Sequence, residues 1–120
     1  MSSRLITVLS LASTAALGGV ICWLTLTPQD WSELSTSLPA DKLAHIAAFA
    51  ALVLPSAILR PSFLWWTIPL AAALGVGIEV VQPLVGRSQE GMDVVADFIG
   101  LGLGAIFGLL IRWYLKRRLR

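Results

Sequence analysis

Residues 93–114 read DVVADFIGLGLGAIFGLLIRWY, and this stretch decides the fold. Between Asp97 and Arg112 the stretch contains no charged residue and no proline. A run of about 20 predominantly apolar residues is what an α-helix needs to cross the hydrocarbon layer of a membrane. The stretch therefore predicts a transmembrane helix.

Three further apolar runs precede this one, and charged residues or prolines separate them. Together the runs predict four spans, at residues 5–27, 40–59, 63–85 and 93–114. The 120 residues are 57% hydrophobic and 13% charged, with a mean hydropathy of +0.81, which leaves too little polar surface for a water-soluble fold. We expect an all-α, polytopic membrane protein in which residues 1–120 form a single domain, a compact bundle of four transmembrane helices.

The sequence around the second span supports two further predictions. This span is the shortest, and it reaches a comfortable length only if its helix begins near Pro39. Just before it, residues 27–30 (TPQD) have the pattern of a helix N-cap followed by proline and an acid. The pattern predicts a short interfacial helix after the first span.

Basic residues predict the orientation, because short loops that contain Lys and Arg stay in the cytoplasm. In a four-span chain seven of the nine basic residues fall on one side, and only Lys42 and Arg87 fall on the other. We therefore expect both termini to be cytoplasmic, with the seven acidic residues at or near the outer face. The basic tail fits this orientation and anionic lipid headgroups, so we expect no nucleic-acid partner.

Small residues recur at four-residue spacing in the last two spans. Gly100, Gly104 and Gly108 share one face of the fourth span, and Ala73 and Gly77 share a face of the third. Small side chains let transmembrane helices approach closely. We favour packing within the bundle for these faces, and homo-oligomerisation remains the alternative.

Polar side chains stand in pairs at helical spacing near the outer ends of three spans. Members of each pair are three or four residues apart and so share a helix face. If the bundle turns these faces inward, the pairs converge near the two outer basic residues. The candidate binding residues are therefore Asp41, Lys42, His45, Glu79, Gln82, Arg87, Asp93 and Asp97.

The depth of these acids restricts their chemistry. Glu79 lies six residues before Val85, hence about 9 Å along the helix from its outer end. An acid at the centre of a bilayer costs about 2.5–3.5 kcal/mol, so a partly inserted acid should be paired, protonated, hydrated or bound to a cation. We expect basic residues to neutralise the acids without a metal or cofactor. One interpretation is purely structural, with Glu79 paired to Arg87 and Asp97 paired to His45 or Lys42.

Four motifs in this order resemble those of VanZ-like membrane proteins: residues 41–45 (DKLAH), 79–82 (EVVQ), 86–88 (GRS) and 93–100 (DVVADFIG). The resemblance covers residues 41 to about 108. It implies a multi-pass protein of the bacterial cytoplasmic (inner) membrane with a role in the cell envelope, and the family's namesake is associated with lowered sensitivity to teicoplanin-type glycopeptides. The family pattern usually has Asn where this chain has Asp97.

These observations lead to three hypotheses of function. The first is a polar outer-leaflet pocket that binds a cell-envelope amphiphile, such as a glycolipid or peptidoglycan precursor, or a partner that handles one. There Lys42 and Arg87 would bind phosphate or carboxylate, Gln82 and His45 would hydrogen-bond, and Glu79 would hold Arg87. The second is a membrane-surface enzyme that uses His45 as general base or metal ligand beside the carboxylates. The third is a purely structural assembly protein.

Overall fold

The computed structural model describes residues 2–26, 38–86 and 91–120, with the backbone alone for residues 38–41. Four α-helices contain most of these residues: α1 Ser3–Leu26, α2 Leu38–Leu59, α3 Leu64–Val81 and α4 Gly91–Arg118. All four helical segments are long and apolar enough to cross a membrane, and these described ranges contain no β-strand. The prediction of an all-α chain with four helices able to span a membrane is confirmed.

The helix ends differ little from the predicted bounds. Helix α2 begins at Leu38, beside Pro39, whose fixed φ suits a first helical turn. Helix α4 continues past the predicted end at Tyr114 to Arg118. Leu, Lys and Arg are good helix formers, and basic side chains in the last turn interact favourably with the negative end of the helix dipole. The interfacial helix predicted after the first span lies outside the described residues.

The third predicted span is an α-helix between two short 3-10 turns. Pro61–Phe63 precedes α3 and Gln82–Val85 follows it. Each turn contains a proline in its first two positions, which fixes φ and removes one backbone N–H donor. The segment ends at Gly86, whose φ of +80° lies in the left-handed region that glycine adopts readily.

Helices α2 and α4 form the closest helix pair, and glycines make this possible. A Cβ atom built on Gly104 would lie 2.7 Å from both Ala50 Cα and Val53 Cγ2, and nearer still to the Ala50 carbonyl oxygen. Gly100 and Gly108, one turn to either side, are just as tightly covered by α2. The prediction that this glycine face packs within the bundle is confirmed.

The small-residue face predicted on α3 is not packed in the same way. Ala73 is exposed, and a Cβ atom on Gly77 would have no neighbour within 4 Å. The buried face of α3 instead carries Ala71, Gly75 and Glu79, which repeat every four residues. For the third span the expectation of close packing at Ala73 and Gly77 was therefore wrong, because the helix is rotated to turn Gly75 inward.

Contacts at both ends of α2 show that α2 and α4 run in the same direction. Lys42 pairs with Asp93 at one end, and at the other Arg112 Nη1 donates to the carbonyl oxygens of Ile58 at 2.7 Å and Leu59 at 3.2 Å. These are among the last carbonyls of α2, which have no donor within their own helix. The acidic and basic ends of the bundle are thus separated along its long axis.

The core lies where α2 meets the other helices. Phe49 and Val53 are almost wholly buried there, whereas large apolar side chains such as Trp65, Leu103 and Phe107 are exposed around the bundle. An exposed apolar exterior of this extent is expected of a surface that faces lipid. The longest dimension of the molecule is 50 Å, sufficient to cross a bilayer of about 40–45 Å including headgroups.

Candidate functional site

Two basic and two acidic side chains meet at the end of the bundle opposite Arg112. Lys42 and His45 are three residues apart on α2, and Asp93 and Asp97 are four residues apart on α4, so each pair shares a helix face. Because the glycine face of α4 holds α2 close beside it, the two pairs face each other. We call these four residues the charged cluster.

His45 lies between the two carboxylates. Its Nδ1 is 2.7 Å from Asp97 Oδ1, and its Nε2 is 3.5 Å from Asp93 Oδ2, an ion-pair distance. The other oxygen of Asp93 pairs with the Nζ of Lys42. Both acids are buried, and the side chains of His45 and Lys42 are 11% and 21% exposed. Lys42 is therefore the member of the cluster with most access to its surroundings.

Each acid of the cluster faces a basic side chain. Asp97 Oδ1 lies within hydrogen-bond distance of His45 Nδ1, and the carboxylate of Asp93 lies between Lys42 Nζ and His45 Nε2. An ionised carboxylate only accepts hydrogen bonds, so both basic side chains can serve as its donors. The predicted pairing of these acids with basic side chains is therefore present at Asp93 and Asp97.

The cluster lies below the ends of its helices. Asp97 is six residues from the start of α4 at Gly91, which is about 9 Å along the helix axis. His45 is seven residues from the start of α2 at Leu38, or about 10 Å. Both residues therefore belong to membrane-spanning helices and not to a loop.

Gly75 of α3 is a residue of this site that sequence reasoning missed. A Cβ atom on Gly75 would lie 2.9 Å from Asp97 Oδ2 and 3.4 Å from Phe49 Cε1, so the absence of a side chain makes room for the carboxylate. A signal was present in the sequence, because Gly75 lies four residues before Glu79 and so on its helix face. Glu79 is buried one turn farther along that face.

The remaining predicted site residues have different positions. Gln82 is buried, and its Nε2 donates to the Thr25 carbonyl oxygen at 3.4 Å, so its amide binds α1 and lies apart from the α2–α4 contact. Asp41 belongs to α2, but its side chain lies outside the described residues, as does all of Arg87. The expected Glu79–Arg87 pair therefore stays a prediction. The expected pairing of Asp97 with His45 is present.

Open grooves lie elsewhere on the described surface. A groove of about 470 Å³ between α1 and α3 is lined by apolar residues including Leu26, Ala73 and Gly77. A second, of about 400 Å³, lies beside Ile106 and Trp113 on α4. Neither groove includes a residue of the charged cluster. The polar side chains thus form a closely paired, buried site, and a ligand would reach it by displacing one of the internal contacts.

The cluster offers two kinds of chemistry. If the Lys42–Asp93 contact opened, the ammonium group of Lys42 could bind an external anion. The His45–Asp97 pair has the geometry of a histidine oriented by a carboxylate. Within the described ranges, no group of three or more His, Cys, Asp or Glu side chains is arranged to hold a metal ion. Comparison with known proteins found no matching family model, no similar curated protein and no similar solved structure.

Proposed function

We propose that this chain is a VanZ-like protein of the bacterial cytoplasmic membrane, with both termini in the cytoplasm and the charged cluster toward the outside. The motifs at residues 41–45, 79–82, 86–88 and 93–100 support membership of this family. The distribution of charge supports the orientation, because Arg60, Arg112 and the basic end of α4 lie at the end of the bundle opposite Lys42.

The proposed activity is binding of the anionic head of a cell-envelope amphiphile, such as a glycolipid or peptidoglycan precursor, or of a partner that handles one. The observation that carries this proposal is the Lys42–Asp93 pair beside His45, with the Lys42 side chain 21% exposed. A phosphate or carboxylate that replaced Asp93 at Lys42 would gain a charge-assisted hydrogen bond near the membrane surface. Asp97 would keep His45 in place as a second donor.

Energetics argue against a purely structural role for the cluster. Replacing a buried ion pair with well-packed apolar residues is often neutral or stabilising by about 1–4 kcal/mol. In a transmembrane helix the apolar alternative is favoured further, because ionisable side chains are costly to insert. Four such groups in two spans therefore point to a function that apolar side chains do not supply.

Lipid co-purification tests the binding proposal. The protein is extracted with its surrounding lipids into polymer-bounded discs, and the bound lipids are identified by mass spectrometry. We expect an anionic amphiphile to be enriched over the bulk membrane with the wild-type protein and to be lost with Lys42→Gln. Lys116→Gln is the matched control, because Lys116 is exposed in the last turn of α4.

Identical lipid profiles for the wild type and Lys42→Gln, with equal amounts of inserted protein, would contradict the proposal. The resemblance extends the proposal to altered sensitivity to teicoplanin-type glycopeptides. Cells that express the wild type should then differ in teicoplanin sensitivity from cells that express Lys42→Gln.

The His45–Asp97 pair favours a second candidate, a membrane-surface enzyme in which Asp97 orients His45 as a general base. The variant His45→Gln distinguishes the two candidate functions, because its amide can still form hydrogen bonds but the titratable imidazole ring is gone. An enzyme would retain the co-purified amphiphile and accumulate it unprocessed, whereas a binding protein would show a weaker enrichment of the same lipid.

A further inference from the structure

Two groups of Ser and Thr side chains in these helices differ in how their hydroxyl groups are satisfied. Thr7, Ser13, Thr25 and Thr67 each donate to the carbonyl oxygen four residues earlier in their own helix. This is how a hydroxyl group is usually satisfied within a membrane. Three other hydroxyl oxygens, those of Ser10, Thr14 and Ser56, are buried without a hydrogen-bond partner among the described residues. Ser10 and Ser56 are 0% exposed.

The register of α1 against α2 brings these three side chains to one place. Arg60 Nη1 donates to Thr7 Oγ1 at the basic end of the pair. Farther along, a Cβ atom on Gly18 would contact Leu52 Cδ1 at 3.8 Å. The two contacts show that α1 and α2 run antiparallel.

Between these two contacts, both helices present their hydroxyl side chains. Ser10 and Thr14 follow Thr7 at steps of three and four residues, which keeps them on the same face of α1. Ser56 lies midway between Leu52 and Arg60, four residues from each, on the facing side of α2. Ser56 therefore lies opposite the turn of α1 that runs from Ser10 to Thr14, and the three hydroxyls share one short stretch of the α1–α2 contact.

Each unsatisfied hydroxyl in this stretch has an energetic cost. A buried polar group left without a partner costs about 1–3 kcal/mol. Three hydroxyls together supply three donors and additional acceptor sites, and a buried water molecule typically makes about two to four hydrogen bonds to such groups. A cation would fit less well, since the guanidinium of Arg60 lies one turn from Ser56 and repels positive charge.

We propose that Ser10, Thr14 and Ser56 form a water-binding site inside the α1–α2 contact, on the basic side of the bundle. Thr7 and Arg60, both partly exposed, connect the site with the water at that end. Leu52 and Val53, which are 3% and 0% exposed, close it toward the charged cluster. Helix α1 is thus attached to α2 through water over this half, whereas α4 is attached through direct glycine contacts.

Solid-state NMR of the full chain in lipid bilayers tests this site by the transfer of polarisation from water to labelled Ser, Thr and Val. We expect signals of Ser10, Thr14 and Ser56 to build up several-fold faster than the signal of Val53. Ser13 is the matched control, because it lies at a similar depth on α1 but donates to the Leu9 carbonyl oxygen.

A double variant, Ser10→Ala with Ser56→Ala, removes two of the three partners of the water. We expect the build-up at Thr14 to slow to the rate of Val53 in this variant. Build-up at Ser10 and Ser56 in the wild type as slow as at Ser13 and Val53 would overturn the proposal, as would an unchanged rate at Thr14 in the double variant. The wild-type comparison decides the question if the double variant does not fold.

Discussion

Gly104→Ala gives the most direct test of how the bundle is held together. The new Cβ atom would lie 2.7 Å from Ala50 Cα and from Val53 Cγ2, and ordinary contact at such an atom begins at 3.4 Å. Helices α2 and α4 would therefore have to separate by more than about 0.7 Å at this point, because the Ala50 carbonyl oxygen is nearer still. Two of the crowded atoms belong to the backbone of α2, so a change of rotamer does not relieve the clash.

The cost can be estimated against a control in the same helix. Overpacking a well-packed contact by one methyl group costs about 1–3 kcal/mol. Gly102→Ala places its methyl group in open space, and alanine is favoured over glycine in a helix by about 0.5–1 kcal/mol. We expect Gly104→Ala to lower the free energy of unfolding and Gly102→Ala to leave it unchanged or raise it.

Reversible unfolding in mixed lipid–detergent micelles, followed by circular dichroism or by steric trapping, measures this difference. Because both variants replace Gly with Ala in α4, the changes in helix propensity and in the free energy of membrane insertion are nearly equal in the two. A Gly104→Ala protein as stable as Gly102→Ala would refute the close α2–α4 packing, and with it the alignment that brings Lys42 and His45 to Asp93 and Asp97.

Four further predictions concern orientation and the charged cluster. Reporters fused after Arg120 or within residues 60–62 should read cytoplasmic, and reporters within residues 29–36 or 88–91 should read external; one robust reversal would contradict the proposed topology. Gly75→Ala should reduce amphiphile co-purification several-fold by displacing the Asp97 carboxylate, whereas Gly77→Ala, with open space at its Cβ, should leave it unchanged. Asp97→Asn should be tolerated better than Asp97→Ala, because the amide oxygen still accepts from His45, and unfolding midpoints compare the two. Elemental analysis should find no stoichiometric divalent metal; a metal lost in Asp97→Asn or His45→Ala would favour the enzyme.

The sequence was sufficient to predict the four helices, because the interaction that selects them is with the membrane. The length of an apolar run and the positions of Pro, Lys and Arg act along the chain itself, without reference to other helices. The same reasoning found the face shared by Asp93 and Asp97, since helical periodicity is local. It also identified Gly100, Gly104 and Gly108 as a close-packing face.

Which faces meet was decided only by the tertiary structure. Periodicity places Lys42 and His45 on neighbouring positions of one helix, but the register of α2 against α4 assigns Lys42 to Asp93 and sets His45 between both acids. On α3 the small residues Ala73, Gly75 and Gly77 are equally suited to close packing, yet the helix turns only Gly75 toward Asp97.

The reason is that successive residues of an α-helix differ by about 100° around its axis, so a modest rotation exchanges one buried face for another. In an apolar helix the membrane does not distinguish these faces. Rotation and register depend on the summed contacts with the other helices, and these include the steric fit at Gly104 and the contacts of His45 with Asp93 and Asp97.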